Sequence, residues 1–171
     1  MATWSCFRTP ANNPGLHSNL QEIIALAEKV GGKDHGFRFV QVPINIMHPE
    51  AFVENYQNYN HPEKGVIPVT LTAVCNSLKI NLISCSPLMQ GYINNLPLEN
   101  VVFNVKNNSS KHLQLIRSIP AECLKSTLVG MKSQAFIKTN MELFKKPPLT
   151  LQQFYEIMAP KKRQPFIEKE L

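Results

Sequence analysis

The chain has 171 residues, 43% of them hydrophobic and 18% charged, with a formal charge of +6; this is the composition of one globular domain able to bury a sizeable core. No run of about 18 apolar residues occurs, which excludes a membrane-spanning helix, and Met1 to Pro10 lack the basic start and long apolar core of a secretory signal. The positive charge is scattered except at Lys161-Lys162-Arg163, which predicts a solvated basic tail, with RNA contact in a larger assembly as the alternative.

Met1 to Ser5 reads as a short strand. Ser18 followed by Gln21 has capping-box spacing, and Leu20, Ile23, Ile24, Ala27 and Val30 recur at helical intervals until Gly31-Gly32 stops the run. A β-branched and aromatic stretch follows, Phe37 to Val42, which predicts a strand carrying Gln41 and Asn45 at its C-terminal end. The pair then recurs. Ile67, Leu71, Val74, Cys75 and Leu78 share a helical face with Pro68 in the first turn, and Ile80 to Ser84 reads as a buried strand.

A third helix is predicted over His112 to Ile119 and a strand at Thr127-Leu128-Val129, closed by Gly130. Gln134 to Phe144 then reads as a helix with Ile137, Met141 and Phe144 inward. Insertions fall near Tyr56 to Gly65 and Leu96 to Lys111, and one extra short helix follows Pro147-Pro148. Strand and helix alternating four times implies parallel pairing. Such a chain forms either an open doubly wound sheet or a segment of a closed barrel, and in both the ligand groups gather past the C-terminal strand ends. No GxGxxG or P-loop sequence is present, which argues against the open dinucleotide fold.

Cys6, Cys75, Cys85 and Cys123 form no CxxC pair and no zinc spacing with histidine, which predicts reduced thiols in an intracellular, reducing compartment. His48-Pro49-Glu50 and His61-Pro62-Glu63 repeat a tripeptide, but two loop motifs of this kind are read as coincidence rather than a metal site. Asp34-His35 has no serine in a nucleophile elbow to serve, so it is read as structural. The overlapping sequons in Asn107 to Ser110 are too short a pattern to carry a prediction.

Four segments, taken in order, resemble the aldo/keto reductase family. They are Met1-Ala2-Thr3-Trp4-Ser5-Cys6-Phe7-Arg8, His35 to Asn45, Ser84-Cys85-Ser86-Pro87-Leu88-Met89-Gln90-Gly91, and Leu128-Val129-Gly130-Met131-Lys132-Ser133 followed by Asn140. The resemblance runs from Met1 to about Pro148. It implies an α/β fold of parallel (β/α) units resembling strands five to eight of a TIM barrel, an incomplete barrel over residues 1–148, with a C-terminal helix and basic tail over residues 149–171.

It also implies NADP(H) as cofactor. Gln41 matches the glutamine that holds the nicotinamide carboxamide, since an amide both donates and accepts. Ser86, Leu88 and Gly91 match the loop around the pyrophosphate. Lys132 and Ser133 match the pair that meets the adenosine 2′-phosphate ahead of a helix N-terminus, and Asn140 falls where the family contacts adenine. Other positions depart from the family pattern. Cys85 stands where an aromatic ring commonly stacks on the nicotinamide, Ala2 and Thr3 where many members carry serine and asparagine, and Phe136 and Thr139 at adenine-side positions.

The tyrosine, lysine, aspartate and histidine that reduce the carbonyl belong to the other half of such a barrel. No catalytic residue is therefore expected among these 171. Two functions remain open: the NADP(H)-binding half of an oxidoreductase that is inactive alone, or a non-catalytic subunit derived from one. Half a barrel leaves open strand edges and an apolar inner face. The expected partner is the missing barrel half, a second copy, or a larger assembly.

Overall fold

Three parallel strands, covered on one face and open on the other, set the architecture of the chain. The computed structural model describes residues 1–96, 98, 103 and 105–158; Lys161-Lys162-Arg163 lies outside them. Strand β1 (Phe39–Pro43) pairs with β4 (Asn81–Cys85), which pairs with β5 (Leu124–Thr127), all in parallel. Val40, Val42, Leu82 and Ser84 are fully buried, whereas the alternating positions Phe39, Gln41, Asn81 and Ile83 remain partly or largely exposed. Side chains alternate across a strand, so one sheet face is covered and the other is open.

The covered face packs on helices α1 (Leu20–Gly31), α3 (Leu71–Ser77) and α4 (Asn108–Arg117). Leu20 and Ile24 from α1, Leu71, Val74 and Cys75 from α3, and Leu115 and Ile116 from α4 join Val40, Val42 and Leu82 in one core. Helix α1 begins one residue later than the capping-box spacing predicts. Asn19, not Ser18, is the N-cap, and its side-chain oxygen accepts from the N–H groups of Gln21 and Glu22. Gly32, at φ +73°, ends the helix in a conformation that glycine adopts without strain.

The predicted first strand is reduced to one bridge. The N–H of Thr3 donates to Gln41 O at 2.9 Å and that of Gln41 to Met1 O at 2.8 Å, a parallel pairing of Ala2 with Gln41 and no more. Strand order nevertheless follows chain order: the Met1–Thr3 segment, β1, β4, β5. An open doubly wound sheet reverses its order at a switch point. No reversal occurs here, so the architecture is that of successive barrel units, and the described residues form no closed barrel.

The first predicted insertion folds as an antiparallel hairpin, β2 (Gln57–His61) with β3 (Gly65–Val69). It overturns the predicted helix start. Ile67 and Pro68 lie in β3, and α3 begins after Thr70, whose hydroxyl accepts from Ala73 N. A proline can occupy β3 because each strand of a two-stranded ribbon is an edge. Gly65, at φ +69°, closes the turn. The remaining elements are a single turn α2 (Glu50–Val53), a 3-10 segment Met89–Asn95, α5 (Gln134–Leu143) and α6 (Leu151–Met158).

Two further expectations are corrected. The third sheet strand is Leu124–Thr127, three residues ahead of the predicted Thr127-Leu128-Val129, because Leu124 pairs with Leu82 and a bulge then shifts the register. On α5 the buried residues are Asn140 and Leu143, whereas Ile137, Met141 and Phe144, predicted inward, are exposed by 42%, 52% and 69%. A barrel helix of this kind packs against the strand after its own. No further strand follows among the described residues.

One buried amide joins the hairpin to α1. Gln57 is fully buried; its Oε1 accepts from Leu20 N at 2.9 Å and its Nε2 donates to Ser18 O at 3.1 Å. A Gln57→Leu substitution strands these groups without partners and should lower unfolding stability by about 1–3 kcal/mol. Urea denaturation measures this, and an unchanged midpoint would contradict the assigned role.

Candidate functional site

Parallel strands point the same way, so the segments leaving β1, β4 and β5 emerge at one end of the sheet, next to the Met1–Thr3 segment. Across the open face runs a row of paired positions, Ala2, Gln41, Ile83 and Ser126. Gln41 stands in the middle of that row, half-buried, between two fully buried valines that point the other way. Among the described residues its side-chain amide makes no hydrogen bond. Its donor and acceptor are both available to a ligand on the open face.

The loop after β4 is held from below. Asn45, 2% exposed, donates through Nδ2 to Ser86 O at 3.0 Å and accepts at Oδ1 from the N–H groups of Met47 and His48. Ser84 Oγ donates to Ile44 O at 3.2 Å. The ends of β1 and β4 are thus pinned together by two polar side chains. The loop itself is bent sharply: Ser86, Met89 and Gln90 have φ of 50°, 46° and 55°, and Gly91 has φ 95°. For a non-glycine residue this region costs about 1–2 kcal/mol. The N–H groups of Met89 and Gly91 donate to Ser86 O and Leu88 O. Both are therefore spent within the loop, and Leu88 serves as a backbone acceptor rather than a free group.

The β5–α5 loop carries Lys132 and Ser133, and α5 itself carries Asn140. Lys132 is exposed. Ser133 is the N-cap of α5, its Oγ accepting from Phe136 N at 3.3 Å, which leaves the hydroxyl proton free to donate. Asn140 does not face solvent. It is 8% exposed, and its Nδ2 reaches Gly130 O at 3.5 Å, supporting the loop that presents Lys132. Asn140 also lines a cleft of about 320 Å³ between α4, β5 and α5, with Leu113, Ile116, Val129, Met131 and Leu143.

The structure places Gln41 in the middle of β1 rather than at its end, with Ser86, Leu88 and Gly91 after β4 and Lys132 and Ser133 after β5. The amide of Gln41 can both donate and accept, and Lys132 offers a cation beside the N-terminus of α5. The middle of the site offers fewer free N–H groups. Cys85, paired with Pro43 in the register, is partly exposed, and a thiol there offers no stacking surface. Among the described residues no group of three His, Cys, Asp or Glu could hold a metal ion. His61 Nδ1 accepts from Glu63 N, a local turn contact.

His48 and Glu50, read from sequence as a coincidental loop tripeptide, join Arg8 in a polar cluster at the same end. Arg8 donates from Nη1 to Glu50 Oε2 at 2.9 Å and from Nε to Trp4 O at 3.0 Å, and its side chain is only 7% exposed. His48 Nδ1 lies 3.7 Å from Glu50 Oε1, and its ring meets Trp4 edge to face at 6.2 Å. Burial disfavours the Glu50 carboxylate, but the neighbouring His48 ring, the local backbone and the hydrogen bond and charge of Arg8 outweigh it and hold the carboxyl below its ordinary value. Arg8 and Glu50 are 42 residues apart, which hides the pair from any local pattern.

No family model matches the sequence, and no curated protein matches it. Solved structures do. The aldo-keto reductase AKR11C1 from Bacillus halodurans, in its holo form, superposes with a TM-score of 0.50 at 12% identity over 80% of this chain. The fold is aldo-keto-reductase-like. The matched region covers 44% of that chain, so the chain spans about half of the reductase's length. The apo form gives a TM-score of 0.49 at 11% identity, covering 92% of this chain and 59% of the reductase. With successive parallel strands that close no barrel among the described residues, the chain has the form of a partial barrel.

The Glu50 carboxylate carries a pH signature. Its folded pKa lies below the ordinary 4.5, so its stabilising contribution is complete above that value and is lost as pH falls through the folded pKa. Glu50→Gln should reduce stability by about 1–3 kcal/mol at neutral pH. The gap to the unaltered chain should close on acidification below 4.5. Denaturant titrations at a series of pH values test this; a gap that is constant with pH would contradict it.

Proposed function

We propose that the chain is the NADP(H)-binding half of a carbonyl-reducing oxidoreductase of the aldo/keto reductase type, inactive until a complementary half-barrel supplies the proton donor. The observation that carries this reading is the open-face row, in which the uncommitted amide of Gln41 on β1 lies between Ala2 and Ile83 of β4. Lys132 and the Ser133-capped start of α5 follow at the next strand end. When bound, the cofactor supplies hydride. This chain's residues orient its carboxamide and hold its phosphate, and none of them is assigned the proton transfer.

A second reading, a non-catalytic interaction subunit, draws on the exposed apolar face of α5. Phe136, Ile137, Met141 and Phe144 are all more than 40% exposed, and β5 is the outer strand of its sheet. The surface suits a half-barrel that offers a parallel strand to β5 and apolar side chains to α5. Burying such residues is worth roughly 1–2 kcal/mol each. In the oxidoreductase reading the same surface receives the catalytic half.

Titrating the purified chain with NADPH, read by ligand fluorescence, separates the two. The oxidoreductase reading predicts saturable, weak binding, and Lys132→Ala should weaken NADPH by about tenfold while leaving NADH nearly unchanged, because only NADPH carries the 2′-phosphate. Equal loss for both, or no saturable binding at all, leaves the subunit reading.

A further inference from the structure

The net charge of the chain is concentrated beside its uncovered helix. From Arg117 to Lys146 the sequence holds six basic residues and two acidic ones, most of the formal +6. The same stretch holds the exposed apolar side chains of α5. Ile137, Met141 and Phe144 are spaced by four and then three residues, which sets them on a single ridge of the helix. Lys138 and Lys145 stand three residues before and four after Met141, so they flank that ridge. Glu142, the acid on α5, is one position past Met141 and thus about 100° round the helix.

The ridge borders the cleft of about 320 Å³ between α4, β5 and α5, and Phe144 belongs to both. The cleft is apolar at Leu113, Ile116 and Leu143, with exposed Lys125 among its lining residues. Among the described residues, Lys125, Lys138 and Lys145 have no ion pair and no side-chain hydrogen bond. Three exposed cations therefore surround an apolar ridge and hollow with no acid of the described chain set against them. Arg117 differs, because it caps α5 through Leu143 O and Lys146 O and its guanidinium lies 5.9 Å from the centre of the Phe144 ring. Its charge is committed to building the surface.

We propose that α5 and the adjoining cleft dock an acidic amphipathic helix of a partner protein, its apolar stripe laid on Ile137, Met141 and Phe144 and its carboxylates on Lys125, Lys138 and Lys145. This rests on the reading of α5 as a partner surface and adds what the partner must carry. Charge decides among the occupants. A second copy pairs through the same patch on both sides, which sets these lysines against their own counterparts. The segment beyond Met158 carries Lys161, Lys162, Arg163 and Lys169 against Glu168 and Glu170, so it too brings the wrong sign. A membrane surface supplies negative charge but not hydrogen bonds. Strand β5 lines the cleft and is the outer strand of its sheet among the described residues, and hydrocarbon leaves the N–H and C=O groups of such an edge unsatisfied. A helix laid in a groove keeps its own backbone paired and leaves that edge in water.

Fluorescence anisotropy of the full chain with labelled helical peptides tests the proposal. The peptides share a leucine stripe at helical spacing and carry glutamate, glutamine or lysine at the flanking positions. The glutamate peptide should bind about tenfold more tightly than the glutamine peptide, with the lysine peptide weakest, and added salt should narrow the differences. Lys138→Glu combined with Lys145→Glu should reverse the order, an outcome that damage to the fold would not produce. Ile137→Gln combined with Met141→Gln should abolish binding of all three peptides while helical circular dichroism and NADPH titration stay unchanged. Equal binding of the glutamate and glutamine peptides would overturn the charge match and leave the partner surface standing; no binding of any peptide would overturn both. A dimer, or co-sedimentation with phosphatidylserine vesicles, that the same Ile137 and Met141 substitutions abolish would give the face to that occupant and overturn the proposal.

Discussion

A parallel sheet in which every strand must shed one face onto helices is the constraint on which the rest of this structure depends. Parallel strands need crossovers, and crossover helices cover the sheet. Here the crossovers all pack on one side, where Val40, Val42 and Leu82 have no exposure. The other side keeps Gln41, Ile83 and Ser126 in reach of solvent. Because strand order follows chain order, the strand-end loops lie side by side and in sequence. The position of Gln41 is therefore a by-product of how Val40 and Val42 are buried, not an independent feature.

Around this frame, buried or half-buried polar side chains fix the connections. Gln57 ties the hairpin to α1, Asn45 ties β1 to the β4 loop, and Asn108 donates to Asn94 O and Leu96 O while accepting from Leu98 N. At the far end of α4, Gln114 Nε2 donates to Pro147 O and Ser118 Oγ accepts from Leu149 N. Arg117 donates to Leu143 O and Lys146 O, capping the end of α5 with a cation where the helix dipole favours one. The loop that presents Ser86 is thereby anchored by Asn45, and the far end of α5 by Arg117. The chain concentrates its rigidity beneath the site and leaves the apolar side of α5 uncovered.

The sequence revealed most where one face of an element is dictated by burial. The alternation through Val40, Gln41 and Val42 and the apolar spacing in α1 and α4 were readable because the partner surface is this chain's own core. Reading failed where the partner is elsewhere or far along the chain. Ile137, Met141 and Phe144 have the spacing of a buried stripe, but the surface they would meet is not formed by the described residues. Leu128 and Val129 look more strand-like than Lys125 and Ser126, yet pairing to β4 selects the latter. Gln57 and the Arg8–Glu50 pairing gave no local signal, since their partners lie 37 and 42 residues away, and Asn45 was visible only as a strand-end polar residue, not as the tie to Ser86. The cofactor candidates rested on motif resemblance; the geometry gathers them at one end but spends part of the β4 loop's backbone internally.

The central claim is that this chain is a half-barrel with β5 as an unpaired edge and α5 as an uncovered face. Hydrogen–deuterium exchange followed by mass spectrometry tests it most directly on the chain alone. Peptides spanning β1 and β4 should exchange slowly, whereas those spanning β5 and the outer side of α5 should exchange fast. Protection of β5 equal to that of β4 would mean that its edge is already paired, and would contradict the account.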